Sequence, residues 1–310
     1  MRVLAVDIGG SKIDILYHDG FKTLFKRFSW GLKHRDLSKS VFNNRFNKLM
    51  KHILAEYAFD QVVFSVAGLD SHEDWIFWRG KLDQHVKDRY ILVHDVKAAL
   101  YTATLGLDGI VVIIGTGCNV YGEYGDRAYY SGDWGWRYGD DFSGYRASRD
   151  FINIILRMYD GRRRKLKLYD TFLEYIGIEE GELIPYLYSL SVEDIAGLTG
   201  FMCRYYSSRI IKSIFNKLLE EAYNAILAVV RRIGSNLSVN YTGGLFRCAQ
   251  FRQDLVNYLC NRGLEVGEYV KYPIVGGLLI PYIEAGYTRE YLVSLKEDLI
   301  SYIESMGEYI

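Results

Sequence analysis

Residues 3–12 read VLAVDIGGSK and residues 110–119 read IVVIIGTGCN. Each is an apolar strand running into a glycine-rich turn, and a shift of about 107 positions lays one on the other. Both continue into a second strand, IDILYH and VYGEYG, with turns at Asp19-Gly20 and Gly125-Asp126. Glycine at such a tip lets backbone N–H groups approach phosphate oxygens with no Cβ in the way. Two facing hairpins of this build suit a nucleoside triphosphate held between two half-similar domains. The copies differ where chemistry would need it. Asp7 in the first is Ile114 in the second, so only one loop can offer a carboxylate to Mg²⁺.

The first half reads as βββαβαβα: three strands over 1–28, a helix over 36–57, the strand QVVFSVAG (61–68), a helix opened by Ser71 and Asp74, the strand YILVHD (90–95) and a helix. The second half begins the same way. The expected fold is therefore α/β, two domains of one topology with a cleft between them. The N-terminal domain is expected over 1–107, joined by an amphipathic helix from 289–310. The C-terminal domain is expected over 108–288, with a helical insertion at 160–207.

At 310 residues each domain can bury its own core. Lys+Arg and Asp+Glu both number 38, so no overall field favours nucleic acid or an acidic membrane. The run Gly161-Arg-Arg-Arg-Lys165 reads as a solvated loop. Cys118, Cys203, Cys248 and Cys260 form no CxxC or metal-ligand spacing and read as reduced thiols of a cytoplasmic protein. The opening MRVLAVDIGG runs straight into a strand and reads as no signal peptide. No apolar stretch approaches the ~20 residues of a membrane helix.

Asp7 ends a buried strand beside Gly9, Gly10, Ser11 and Lys12. It is a candidate for a water-mediated Mg²⁺ contact, with Ser11, Lys12 and backbone N–H groups on phosphate; the competing reading is a strand-end Asp capping a tight turn. Asp95 stands where a strand meets a helix. It is either a helix cap or a general base that takes a proton from a substrate hydroxyl attacking a γ-phosphate. The loop SGDWGWRYGDDFSGY (131–145) packs three acids, two Trp and four Gly. Carboxylates accept polyol hydroxyls and aromatic rings cover sugar C–H faces, which suits a substrate loop; Asp140 or Asp141 as a helix cap is the alternative. TGG (242–244) fits either backbone approach to a nucleotide or a plain strand-to-helix turn. No GxxxxGK[ST] or strand-to-helix GxGxxG occurs, which argues against a P-loop or Rossmann site.

Taken together and in this order, these segments resemble the actin-like ATPase superfamily, and within it the N-acetylglucosamine kinase and BadF/BadG/BcrA/BcrD-type ATPase group. VDIGGSK resembles the first phosphate loop, VFSVAGLDSHED the AGLD segment and VHDVKAAL the catalytic-Asp segment. VVIIGTGCNVYG resembles the second phosphate loop, GDWGWRYGDDFSGY the sugar loop, and YTGGLF with PIVGGLLIP the adenosine side. The resemblance covers almost the whole chain. It implies two ribonuclease-H-like domains and ATP-dependent phosphorylation of a hexose or hexosamine: glucosamine, N-acetylglucosamine or glucose. Asp95 would be the base. Asp7, Gly9, Gly10, Ser11, Lys12, Thr116 and Gly117 would handle Mg²⁺ and the phosphates, and Gly243 with Gly244 the adenosine. Gly132, Asp133, Trp134 and Asp140 would face the sugar. The expected partner is thus a small-molecule sugar; a homodimer stays open. Three departures bear on the sugar half. Asp133 replaces the second Gly of the group's GG pair, Phe142 replaces the Gly of GDEG, and SWGLKHRD (29–36) lacks the sugar-contacting Asn. The rival readings are an ATPase coupled to a partner and a non-catalytic nucleotide- or sugar-binding regulator.

Overall fold

β1 (Val3–Ile8) is apolar at nearly every position because both of its faces are covered. In the computed structural model, which describes residues 1–307, it sits at the centre of a five-stranded sheet. β2 (Ile13–His18) and β3 (Thr23–Phe28) follow as antiparallel neighbours. α1 (Lys39–Glu56) then leads to β4 (Gln61–Val66), α2 (His72–Leu82), β5 (Tyr90–His94) and α3 (Asp95–Thr104). β4 lies parallel to β1 and β5 parallel to β4, giving the order β3-β2-β1-β4-β5. Leu4, Val6 and Ile8 pack with Phe42, Phe46 and Trp78 of α1 and α2. The alternate residues Val3 and Ala5 face the other way.

The second unit repeats the plan. β6 (Gly109–Ile114), β7 (Cys118–Tyr124) and β8 (Arg127–Gly132) are followed by α4 (Gly144–Tyr159). Four helices come next: α5 (Lys167–Ile176), α6 (Leu183–Ser189), α7 (Val192–Gly197) and α8 (Thr199–Arg204). The long α9 (Arg209–Ile233) ends at Gly234 in the left-handed region, and β9 (Val239–Thr242), α10 (Ala249–Cys260) and β10 (Val266–Val270) complete the unit. Its sheet order, β10-β9-β6-β7-β8, is that of the first sheet with the strands renumbered. Two sheets of the same mixed order make this the double ribonuclease-H-like fold.

The chain divides into two compact units, Met1–Val111 with the stretch from Glu268 onward, and Val112–Gly267. One boundary corrects the sequence reading, which left 268–288 in the second domain. α11 (Ile274–Glu284) instead lies on the first sheet, where Ile274, Val275, Leu278 and Leu279 join Val3, Ala5 and Leu16. α12 (Arg289–Ser305) adds Leu292, Leu295 and Leu299 to the same cluster. Close approach to α3 explains the glycines of PIVGGLLIP. A Cβ at Gly276 would collide with the Ala98 carbonyl, and one at Gly277 would crowd Ser65 Oγ at 3.0 Å. The Gly276 N–H also donates to Thr102 Oγ1 at 2.8 Å.

Candidate active site

In the first unit the VDIGGSK loop turns tightly, the Gly9 N–H donating to the Lys12 carbonyl at 3.0 Å. The segment after β3 is pressed against it. The Leu32 N–H donates to the Gly9 carbonyl at 3.0 Å, and a Cβ at Gly31 would collide with the Gly10 backbone. Asp7 faces Asp14 across the β1–β2 pair. Both nearby cations serve Asp14: Arg27 grips it through two hydrogen bonds of 2.6 and 2.7 Å, and Lys12 lies 3.3 Å away. Among the described residues Asp7 therefore has no cationic partner in direct contact. Burial first, then the like charges of Asp14 and Asp95, push its pKa up to about 8, while Lys12 and Arg27 pull weakly the other way. A partly buried carboxylate crowded by other carboxylates and left without a cation is a fitting place for a divalent metal.

Asp95 is the first residue of α3 and not its cap. His94 is the N-cap, its Nδ1 accepting from the Val96 N–H at 3.4 Å. The Asp95 Oδ1 atom is buried and has no hydrogen bond, although His94 Nδ1 stands 2.7 Å from it. The charges of Asp95 and Asp7 are close enough to raise the Asp7 pKa. The first unit thus brings Asp7, the 9–12 loop and Asp95 into one neighbourhood.

In the second unit three loops meet. The GTG loop closes with the Gly115 N–H donating to the Gly117 carbonyl at 2.9 Å. Gly243, with φ +119°, fits where a Cβ would collide with the Ile114 backbone, so the TGG turn lies directly on this loop. Asp140 reaches it from the 131–145 loop, its Oδ1 accepting from the Cys118 N–H at 3.4 Å. Gly132 and Asp133 are both left-handed, φ +100° and +65°. Aspartate tolerates that region better than most residues, which is why it can stand at a position suited to glycine. The Asp133 carboxylate accepts from Asn119 Nδ2 at 3.0 Å. Phe142 is buried under Gly132, filling space with a ring where a glycine was expected. Neither Asp140 nor Asp141 caps α4; Ser143 does, accepting from the Arg146 N–H at 3.1 Å. Gly132, Trp134 and Asp140 line a cavity of about 300 Å³ together with Glu221 and Asn224 of α9.

Residues 6–279 match the sequence pattern of the BadF/BadG/BcrA/BcrD ATPase family. The chain belongs to that family. An N-acetylmuramic acid/N-acetylglucosamine kinase of Clostridium acetobutylicum is 25% identical over 321 residues, spanning 96% of this chain and 94% of that one. Two solved structures share the fold. A provisionally assigned N-acetylglucosamine kinase from Porphyromonas gingivalis superposes with a TM-score of 0.74 at 22% identity, covering 92% of this chain and 100% of the other. A ROK family glucokinase from Streptomyces griseus, in complex with glucose and AMPPNP, superposes with a TM-score of 0.60 at 15% identity, covering 90% and 97%.

Within this BadF/BadG/BcrA/BcrD member the cysteines depart from the sequence reading. Cys203 and Cys248 form a disulfide, Cα atoms 5.6 Å apart across 45 residues; Cys118 and Cys260 are free thiols. Folding carries the end of α8 to the start of α10, and so long a spacing leaves no local motif to read. His52 is partly buried edge-on to Phe28 and Tyr57, and burial lowers its pKa. Glu221, Asn224, Asn119 and His94 were not among the expected site residues. The first two are i, i+3 neighbours on one helix face, but only the tertiary structure sets that face beside the 131–145 loop. Among the described residues no helix is long and apolar enough to cross a membrane.

Proposed function

We propose that this protein is an ATP-dependent sugar kinase that phosphorylates a hydroxyl of a hexose or hexosamine, with Asp95 as general base. The observation that carries the proposal is the Asp95 carboxylate at the start of α3, close enough to Asp7 to raise that residue's pKa. A carboxylate at such a strand-to-helix junction, beside a candidate metal ligand, stands where an acceptor hydroxyl can give up its proton.

In this reading Asp7 holds Mg²⁺ through water, which would neutralise charge on the phosphates as it binds them. The backbone of Gly9-Gly10 and the side chains of Ser11 and Lys12 contact phosphate, as do Thr116 and Gly117 of the second loop. The TGG turn, seated on that loop, holds the adenosine. Gly132, Asp133, Trp134 and Asp140 form the acceptor side, with the cavity beside α9 as its floor. The acceptor gives its proton to Asp95 as its oxygen attacks the phosphoryl group and ADP leaves. The similarity to a kinase named for N-acetylmuramic acid and N-acetylglucosamine supports this substrate class. A cytoplasmic setting and a possible homodimeric state belong to the same proposal.

The test is sugar-stimulated ADP release with Mg²⁺-ATP over glucose, glucosamine, N-acetylglucosamine and N-acetylmuramic acid, for the native chain and Asp95→Asn. Stimulation by at least one sugar, lost in the variant, is expected. Sugar-independent ADP release would favour an ATPase coupled to a partner, and tight nucleotide binding without release a regulator.

A further inference from the structure

His94 has a second surface beyond its capping contact. It is 4% exposed, and its two ring nitrogens point to different carboxylates: Nδ1 lies 2.7 Å from Asp95 Oδ1, and Nε2 lies 3.3 Å from Asp70 Oδ1. At these distances the two carboxylates attract the ring when it carries a proton on each nitrogen. The Val96 N–H donates to Nδ1 at 3.4 Å, a long contact that a proton on Nδ1 would replace with the Asp95 one.

Asp70 is kept available for this contact by its neighbours. Arg35 gives its short hydrogen bonds to Asp74, at 2.6 and 3.2 Å, and comes no nearer to Asp70 than 3.9 Å. His34 also turns to Asp74, at 2.8 Å, and Ser71 bonds the same carboxylate at 2.8 Å. Asp74 is thus the structural acid of the AGLDSHED segment. Asp70 is the one that meets the imidazole.

We infer that His94 is a positioning residue for Asp95, held in turn by Asp70, so that the base is one end of an Asp95–His94–Asp70 chain. The inference rests on the reading of Asp95 as general base. The acceptor O–H bond breaks as its oxygen bonds to phosphorus, the bond from phosphorus to the departing ADP oxygen breaks, and the proton comes to the Asp95 carboxylate. His94 fixes the rotamer of that carboxylate and shares its proton; Asp70 fixes the plane of the ring. A residue that acts this way affects turnover and leaves ground-state binding alone.

The experiment is steady-state kinetics of the full chain with Mg²⁺-ATP and the sugar it uses, on Asp70→Ala, Asp70→Asn, His94→Asn and the His94→Asn/Asp70→Ala pair. Asparagine retains the capping ability of position 94. Asp70→Ala and His94→Asn should each lower kcat about 10-fold, a size usual for residues that orient a reacting group, with both KM values unchanged. Asp70→Asn, still able to accept from Nε2, should recover most of the loss. The double variant should be no slower than the worse single one, because the chain is already cut. Unchanged kcat in Asp70→Ala, or losses that multiply in the pair, overturns the inference. Should Asp70→Ala fail to fold, ¹⁵N spectra of the histidine ring decide without turnover: the His94 signals must shift in both Asp70→Asn and Asp95→Asn, and indifference to either refutes the chain. Asp95→Asn with near-native turnover would instead remove the base and leave the geometry standing.

Discussion

Asp7→Asn should make the metal-free protein more stable while weakening its Mg²⁺-dependent binding of ATP. The side chain keeps its shape, and only the charge goes. In the folded chain burial and the charges of Asp14 and Asp95 raise the Asp7 pKa from 3.8 to about 8. A raised pKa means the folded state holds the proton more tightly than the unfolded chain does. The stability this brings is therefore fully present below pH 3.8 and is lost as pH rises through about 8. At 1.36 kcal/mol per unit the ionised carboxylate would destabilise the fold by about 4 kcal/mol at pH 7. Asp7 is partly open to water, which screens it, so about half of that, ~2 kcal/mol, is the expected effect. At roughly 2–4 °C per kcal/mol for a unit of this size, Asp7→Asn should raise Tm by about 4–8 °C at pH 7. The gain should fade toward pH 4, where Asp7 is protonated in both states. Scanning calorimetry of both proteins in chelator between pH 4 and 8.5 measures the difference directly. Titration calorimetry with ATP, with and without Mg²⁺, supplies the other half: the native chain should gain affinity from Mg²⁺ and the variant should gain little. A variant whose Tm is unchanged or lower at pH 7–8 would refute the electrostatic account, and Mg²⁺-enhanced ATP binding that survives the substitution would refute the metal role.

Three further outcomes follow from the same geometry. Asp95→Asn should lower kcat by roughly 10²–10⁴ with little change in nucleotide affinity, since a base acts on a proton and does not grip ATP; turnover near native sinks the assignment. Removing the Cys203–Cys248 bridge by Cys203→Ser or by a reductant should destabilise the second unit by up to about 4 kcal/mol from the chain entropy of its 45-residue loop; an unfolding midpoint indifferent to reductant contradicts this. Asp133→Gly should raise kcat/KM for N-acetylglucosamine relative to glucosamine, because it deletes a carboxylate that attracts a free amine at a position whose left-handed φ of +65° suits glycine; a ratio unmoved by the change refutes a role for the Asp133 charge in sugar choice.

Much of the fold was readable because it is written in local patterns. Strand β1 is apolar but for Asp7, the segment at 110–119 has the same build, and Ser71 with Asp74 makes the capping box that the spacing announces. Asp7, Asp95 and the glycine loops stand at strand ends, where such a sheet presents ligands. What escaped is what only tertiary packing decides. α11 reads as continuous with the second half, yet its apolar residues are buried against β1 and α3, and no local signal says which sheet a wholly apolar helix will choose. Cys203 and Cys248 meet because the inserted helices fold back on α10. His94 looked like a neighbour of the interesting residue; its role depends on Asp70, 24 positions away.

The two units share a sheet order and differ in charge at the matching strand end. In the first sheet the strand-end position is Asp7, beside Asp14 and near Asp95, and this crowding of like charge opposes folding in the absence of a cation. In the second the equivalent position is Ile114, completely buried, and its backbone is in contact with the TGG turn. With Ile114 the second loop instead offers neutral backbone donors, well suited to phosphate oxygens, and lets Gly243 sit directly against the strand. A second aspartate there would bring a further negative charge to an anionic ligand and would put a carboxylate at a completely buried position. Ile114→Asp is therefore expected to destabilise the second unit without creating a second metal site.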